Sequence, residues 1–156
     1  MADIFNEDFQ DFIESLNRAE VEYLLVGGYA VILHGYQRVT GDMDIWVNKT
    51  ASNYKKILKA LEFFGMPVFD MTEEKFLADT KDYDVFRFGI SPTRIDLMTS
   101  VLGLDFDECY KSAVINEVEG FPVRVIHLNQ LIIAKEASDR DKDRQDIKNL
   151  KRIRKL

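Results

Sequence analysis

The sequence of 156 residues contains few cysteines, histidines and prolines: one, two and three, respectively. With Cys109 alone, no disulfide can form within the chain, so we expect a reducing compartment. No apolar run approaches the ~18 residues that cross a bilayer, and the start MADIFNEDF is acidic where a signal peptide is basic. Internal repeats are also lacking. These absences predict a cytoplasmic protein without a membrane partner.

The overall composition is that of a folded domain. Hydrophobic residues make up 46% of the chain and charged residues 31%, which excludes disordered and fibrous proteins. The length predicts a single domain over residues 1–156. A net charge of −6 argues against nucleic-acid binding over the whole surface. The last nine residues, KNLKRIRKL, nevertheless contain five bases and no acid, which is typical of either a local RNA contact or a solvated helix face.

The spacing of apolar residues predicts alternating helices and strands. Steps of three and four predict helices near 5–18 and 52–64, and an apolar segment predicts a short buried helix at 29–33. A helix capped by Asn129 and a charged helix at the end are also expected. Strands are predicted at 22–26, 42–47, 84–90, 93–98 and 122–128, with a hairpin turn at Ser91-Pro92. The expected fold is therefore α/β (α+β), with a mixed sheet flanked by helices.

Two short segments contain residues suited to binding phosphate and metal. Gly27 and Gly28 stand between a predicted strand and a predicted helix, where missing side chains allow backbone N–H groups to approach an anion. A simple tight turn is the alternative. Asp42 and Asp44 alternate at the start of a strand, so both carboxylates share one face unless they belong to a preceding turn.

A third acid, Asp96, interrupts an apolar strand. It lies on the solvent face, pairs with a base such as Arg94, or has a function. If it joins Asp42 and Asp44, each pair of carboxylates ~4 Å apart costs about 4 kcal/mol at a dielectric constant near 20. Three such acids need a divalent cation or a proton. Oxygen ligands without cysteine or histidine favour Mg²⁺ or Mn²⁺ over zinc.

The run LLVGGYAVILHGYQRVTGDMDIWV, residues 24–47, resembles the opening motif of the nucleotidyltransferase superfamily. That motif is a glycine turn, a short helix and Asp-x-Asp on the next strand, and the run is most similar to a minimal bacterial branch that includes AbiEii-type toxins. The resemblance implies a nucleotidyltransferase-like fold in which Gly27 and Gly28 bind the phosphates of an NTP. It also implies a catalytic Mg²⁺ (or Mn²⁺) site at three residues: Asp42, Asp44 and Asp96.

The run LIIAKEASDRDKDRQDI, residues 131–147, is similar to the same branch. The similarity implies that Lys135 lines the nucleotide cleft, together with Lys142 and Asp146. Ion pairs on an exposed helix are the alternative for this cluster.

Four further polar residues lie near these motifs or at the end of a predicted strand. Arg38 and Thr40 precede the aspartate pair and hold either the phosphates or the turn. His34 is expected to be a core histidine, and His127 is given no role.

The resemblance implies transfer of a nucleoside monophosphate from an NTP, such as ATP, to a hydroxyl acceptor with release of pyrophosphate. The acceptor is open between RNA, a protein and a small molecule. A chain of 156 residues leaves little room for a separate acceptor domain, so a homodimer or a partner chain, such as an antitoxin, is expected to complete the cleft. A toxin–antitoxin role is a further expectation from the resemblance. Tyr29 stands where many catalytic members have serine, so a catalytically weak or inactive nucleotide- or partner-binding module is the alternative, with RNA contact by the basic end as a third hypothesis.

Overall fold

One mixed β-sheet organises the chain in the computed structural model, which describes residues 4–156. The strands follow the order β3-β4-β2-β1-β6-β5 across the sheet. Their bounds are β1 (Tyr23–Val26), β2 (Met43–Val47), β3 (Val85–Phe88), β4 (Ile95–Met98), β5 (Val114–Val118) and β6 (Phe121–Val125). Parallel and antiparallel neighbours both occur, so the predicted mixed sheet is confirmed.

Helices connect and cover the strands. They are α1 (Glu7–Arg18), α2 (Gly27–Leu33), α3 (Ala51–Phe64), α4 (Glu73–Leu77), α5 (Phe106–Ser112), α6 (Leu128–Ser138) and α7 (Asp141–Arg154), with a 3₁₀ turn at Lys81–Tyr83. Capping residues in the sequence determine where several of these helices begin and end. Asn6 and Thr50 accept the backbone N–H groups of Phe9 and Asn53 at the starts of α1 and α3, and Gly65 ends α3 in the left-handed conformation.

The register of four neighbouring strands determines where the acidic residues lie. Val26 of β1 is opposite Asp44 of β2, Asp44 is opposite Asp96 of β4, and Asp96 is opposite Arg87 of β3. Residues directly opposite each other on paired strands point to the same face. Asp44, Asp96 and Arg87 therefore form a row across three strands.

The apolar face of α1 closes one side of the core. Phe9, Phe12 and Leu16 are fully buried there, as the helical spacing predicts. The Tyr29 ring packs against Phe5 and Phe9, with ring centroids 5.2 and 5.5 Å away. Tyr29 is thus a core residue that holds α2 against α1.

The structure corrects several details of the sequence predictions. Strand β5 and helices α4 and α5 were not predicted. Asn129 lies inside α6, and His127 is the capping residue, because its Nδ1 accepts the Asn129 N–H at 3.1 Å. The His34 ring has a hydrogen-bond partner, as expected, since its Nε2 lies 2.7 Å from the Ile126 carbonyl oxygen. Over residues 4–156, no helix is long and apolar enough to cross a membrane.

Candidate active site

At the junction of β1 and α2, the glycine turn, formed by Gly27 and Gly28 at the start of α2, brings the backbone against Asp44 of β2. Gly27 has a φ of +70°, a conformation that favours glycine, and a Cβ at this position would overlap the Asp44 carboxylate. A Cβ at Gly28 would overlap Thr40 Oγ1 and lie 3.0 Å from Arg38 Nη1. Both glycines therefore allow polar side chains to approach the backbone at the mouth of a cleft.

The carboxylates of Asp42 and Asp96 share one arginine. Arg94 Nε donates to Asp96 Oδ1 at 2.9 Å and Nη2 donates to Asp96 Oδ2 at 3.3 Å, while the same Nη2 lies 3.2 Å from Asp42 Oδ2. Asp42 also accepts the Arg94 backbone N–H at 3.2 Å and the Ser91 hydroxyl at 2.9 Å. The ion pair between Asp96 and Arg94, one of the interpretations open from the sequence, is present.

Asp44 differs from its two neighbours because no hydrogen bond or ion pair to its carboxylate is found within residues 4–156. Burial, and then the negative charge of Asp96, raise the pKa of Asp44 to about 6, against the opposing charges of Lys135, Lys142 and Arg140. This is the carboxylate in the cluster whose negative charge is least compensated.

A buried ion-pair network forms the opposite wall of the cleft. Lys135 of α6 is only 7% exposed, and its Nζ lies 3.0 Å from Asp146 Oδ2 and 3.4 Å from Asp143 Oδ1. Arg38 Nη1 contacts the same Asp146 oxygen at 3.2 Å. Asp146 therefore connects the loop before β2 to the two C-terminal helices.

Asp143 holds the start of α7 against the end of α6 through hydrogen bonds and ion pairs. Burial alone raises its pKa, but hydrogen bonds from Arg140 and Ser138 outweigh burial and hold the pKa of this carboxyl well below its usual range. Arg140 Nε donates at 2.8 Å and the Ser138 hydroxyl at 2.6 Å. Asp143 was not among the predicted site residues, and Arg140 is not a residue type that usually caps a helix, so the local sequence gave no signal for this pair.

Two clefts meet at Asp44. We call the first the polar cleft; it has a volume of about 650 Å³ and contains all of the predicted catalytic and phosphate-binding residues: Gly27, Gly28, Arg38, Thr40, Asp42, Asp44, Asp96 and Lys135. It is also lined by Lys142, Asp146 and three arginines that were not predicted as site residues, namely Arg87, Arg94 and Arg140. His34 and His127 do not line it.

The second, which we call the apolar cleft, has a volume of about 690 Å³. Its walls include Val85 and Met98 of the sheet and Leu131 and Ala134 of α6. Both clefts share four residues: Gly27, Asp44, Lys135 and Arg140. An elongated molecule lying across Asp44 therefore meets a charged environment on one side and an apolar one on the other.

Solved structures similar to this chain include antibiotic-modifying enzymes. The lincosamide antibiotic adenylyltransferase LnuA, solved with lincomycin bound, is 18% identical, with 97% of this chain and 99% of that chain covered and a TM-score of 0.58. ANT(2'')-Ia, solved in complex with adenylyl-2''-tobramycin, is 16% identical over 91% and 84% of the two chains, with a TM-score of 0.55. TM1012 from Thermotoga maritima is 13% identical over 90% and 88%, with a TM-score of 0.63. These likenesses show a shared fold.

At the level of sequence, no curated protein matches the chain. A family model described as "Nucleotidyltransferase of unknown function (DUF6036)" matches residues 5–156, which span the glycine turn, the acidic row and the lysine network. The narrower AbiEii-type branch suggested by the sequence finds no support in these comparisons. The chain is a member of the DUF6036 family of nucleotidyltransferases.

Proposed function

We propose that the protein transfers a nucleoside monophosphate from an NTP to a hydroxyl group, with Mg²⁺ or Mn²⁺ held by Asp42, Asp44 and Asp96. One observation carries this proposal: a glycine turn without side chains faces a half-buried, uncompensated carboxylate that is aligned with a second carboxylate on the next strand. Cations from α6 and the loop before β2 stand across the cleft, where a triphosphate needs them.

The donor atoms of the three acidic residues suit a hard divalent cation. All three side chains offer oxygen atoms alone, and the charge of Asp44 lacks a partner within the described residues. No group of three or more acidic, histidine or cysteine side chains in residues 4–156 is spaced to hold an ion as the side chains stand. The Arg94 guanidinium contacts both Asp42 and Asp96. Arg94 is 31% exposed, so its side chain has room to turn away. A bound dication would neutralise the phosphates and lower the pKa of the attacking hydroxyl.

The residues of the polar cleft have separate tasks in the proposed reaction. Gly27 and Gly28 admit the phosphates, and Arg38 and Lys135 offset the charge of the departing pyrophosphate. The acceptor oxygen forms a bond to the α-phosphorus while the bond from that phosphorus to the oxygen shared with the β-phosphate breaks. Pyrophosphate leaves with that electron pair, and the hydroxyl proton passes to the Asp96 carboxylate.

The apolar cleft suits the nucleoside half of the substrate. It touches Asp44 but neither Asp42 nor Asp96, so a group bound there lies beside the α-phosphate without occupying the position of the acceptor. Its aliphatic walls match the flat apolar face of a base.

Narrowing the apolar cleft should separate nucleoside binding from phosphate binding. Ala134→Trp places an indole among Leu131, Met98 and Val85, and we expect at least tenfold weaker binding of a fluorescent ATP analogue with unchanged binding of inorganic tripolyphosphate. Ile133→Trp on the exposed side of α6 is the control. Equal effects of the two substitutions on the ATP analogue would contradict this placement.

Arg94 should compete with the metal. Arg94→Gln removes the positive charge between two carboxylates, so we expect at least tenfold tighter Mn²⁺ binding by calorimetry and a less stable metal-free protein. Arg94→Lys keeps the charge and is the matched control. If Arg94→Gln lowers stability without tightening Mn²⁺ binding, the ion would not bind between these carboxylates.

The activity itself is tested by incubating the protein with each of the four NTPs, α-labelled, and Mn²⁺, against total RNA and protein extracts. Transfer of label with release of pyrophosphate supports the proposal, provided that Asp44→Ala abolishes both. Absence of NTP binding would refute it.

A second candidate function is a nucleotide-binding module without turnover. The buried Tyr29 ring favours it, because no serine hydroxyl follows the glycine turn, and so does the Arg94 side chain between the acids. Tight binding of an NTP with Mg²⁺, without pyrophosphate release across many acceptors, would establish this alternative. The toxin–antitoxin role, the homodimer or antitoxin partner, and the cytoplasmic location stay predictions from the sequence.

A further inference from the structure

The row of side chains across the sheet indicates from which side the acceptor would approach the α-phosphate. The glycine turn follows β1, Asp44 lies on β2, Asp96 on β4 and Arg87 on β3, and these strands are neighbours in that order. In phosphoryl transfer, the attacking and leaving oxygens lie roughly in line on opposite sides of the phosphorus. If pyrophosphate departs toward the glycine turn, the acceptor approaches from the side of β4 and β3.

One cation on that side of the cleft, Arg87, has no acidic partner among the described residues. Six cationic side chains line the polar cleft, and four of them make ion pairs: Arg38, Arg94, Lys135 and Arg140. Within residues 4–156, Arg87 and Lys142 make none. Lys142 belongs to α7, across the cleft from the sheet, whereas Arg87 is exposed on β3, directly opposite Asp96.

The polar cleft offers a cationic acceptor no carboxylate that is not already paired or assigned to the proposed metal site. They are Asp42, Asp44, Asp96 and Asp146. The first three form the proposed metal site, and Asp146 is already paired with Lys135 and Arg38. A polycationic molecule approaching past β3 would therefore meet the Arg87 guanidinium without a free carboxylate to offset the repulsion.

We propose that the acceptor carries a phosphate group next to its reacting hydroxyl and that Arg87 binds this phosphate. The inference rests on the proposed function, since it needs the transfer to occur over Asp44 and Asp96. Arg87 lies one strand, ~4.8 Å, beyond Asp96, which suits a phosphate a few bonds from the attacking oxygen. A planar guanidinium binds phosphate oxygens in pairs, so Arg87 is a specificity-determining residue.

Binding assays test this without requiring turnover. The protein is first saturated with α,β-methylene-ATP and Mg²⁺, and the probes are a fluorescein-labelled RNA 12-mer with a free 3′-hydroxyl and, separately, ribose 5-phosphate. We expect at least one probe to bind, and Arg87→Ala to weaken it tenfold or more while leaving the affinity for α,β-methylene-ATP unchanged. RNA binding alone identifies a nucleic-acid end as the source of the phosphate, and ribose 5-phosphate binding identifies a small phosphorylated acceptor.

Lys111→Ala removes an exposed charge on α5, outside both clefts, and is the matched control; Arg87→Lys should retain part of the affinity. The proposal is overturned if neither probe binds, if Arg87→Ala binds them as well as the unchanged protein, or if Arg87→Ala and Lys111→Ala weaken them equally. Tighter binding of cationic tobramycin than of either phosphorylated probe would also overturn it. Failure of α,β-methylene-ATP itself to bind refutes the proposed function instead, and the two results are therefore distinguishable.

Discussion

Replacing Asp44 by asparagine is expected to abolish nucleotidyl transfer and, at neutral pH, to stabilise the metal-free protein. The carboxylate is one of three proposed to hold the metal ion, so its loss should lower the rate by roughly 10³-fold or more, about 4 kcal/mol of transition-state stabilisation. The opposite effect on stability arises because the charged form of Asp44 is disfavoured by burial and by Asp96.

The pH dependence of this stabilisation follows from the pKa of Asp44, which burial raises from 3.8 to about 6 in the folded protein. Between these two values the folded state binds more protons than the unfolded chain, so the free energy of unfolding falls as the pH rises. The destabilisation of the folded protein by the Asp44 charge is absent below about pH 4. It is complete above about pH 6, where it amounts to at most about 3 kcal/mol. Asparagine carries no charge at any pH, so its advantage should be present at pH 8 and largely gone at pH 4.

Urea unfolding at pH 4, 6 and 8 without divalent cations measures this effect, and label transfer from an NTP measures the activity. Asp70→Asn, at an exposed position, is the control and should change neither result. Addition of Mg²⁺ should stabilise the original protein more than Asp44→Asn. If Asp44→Asn destabilises the metal-free protein at pH 8 as much as at pH 4, the charge of Asp44 is compensated in solution.

The main strands could be predicted because their signals are local. The apolar runs before Gly27 and after Asp44 are each too short for a helix and are bounded by turn residues, which is sufficient to assign β1 and β2. Strand β5 was not predicted because it lies at the edge of the sheet. Its sequence VINEV mixes apolar and polar residues, and its stability depends on pairing with β6. Edge strands depend on tertiary partners that the local sequence does not show.

The acidic residues could be named from the sequence, but their arrangement could not. Asp44 and Asp96 are 52 positions apart in the sequence, and only the parallel pairing of β2 with β4 places them opposite each other. Pairing of Asp96 with Arg94 was one of three interpretations that the sequence left open. Arg87 had no local signal, since an exposed arginine on a strand is ordinary until the register aligns it with Asp96. Its proposed role in binding the acceptor follows from that register.

Gly27→Ala is expected to reduce transfer by about 100-fold while leaving most of the fold intact. Two costs arise at this position. A φ of +70° is strained for alanine by about 1–2 kcal/mol, and the new Cβ overlaps the Asp44 carboxylate, which must shift or turn. A displacement of about 1 Å in a reacting group can lower the rate 10²-fold, so the loss of activity should exceed the loss of stability.

Gly65→Ala separates these two costs. Gly65 has a φ of +83° at the end of α3, and a Cβ there meets nothing within 4 Å, so its substitution brings strain without overlap. We expect Gly65→Ala to lose about 1–2 kcal/mol in urea unfolding and Gly27→Ala to lose at least as much, but only Gly27→Ala to lose transfer and Mn²⁺ affinity. Equal retention of activity would mean that Asp44 can move away without consequence. Asp44 would then lie outside the catalytic machinery, and the close approach of the glycine turn to it would be a matter of packing alone.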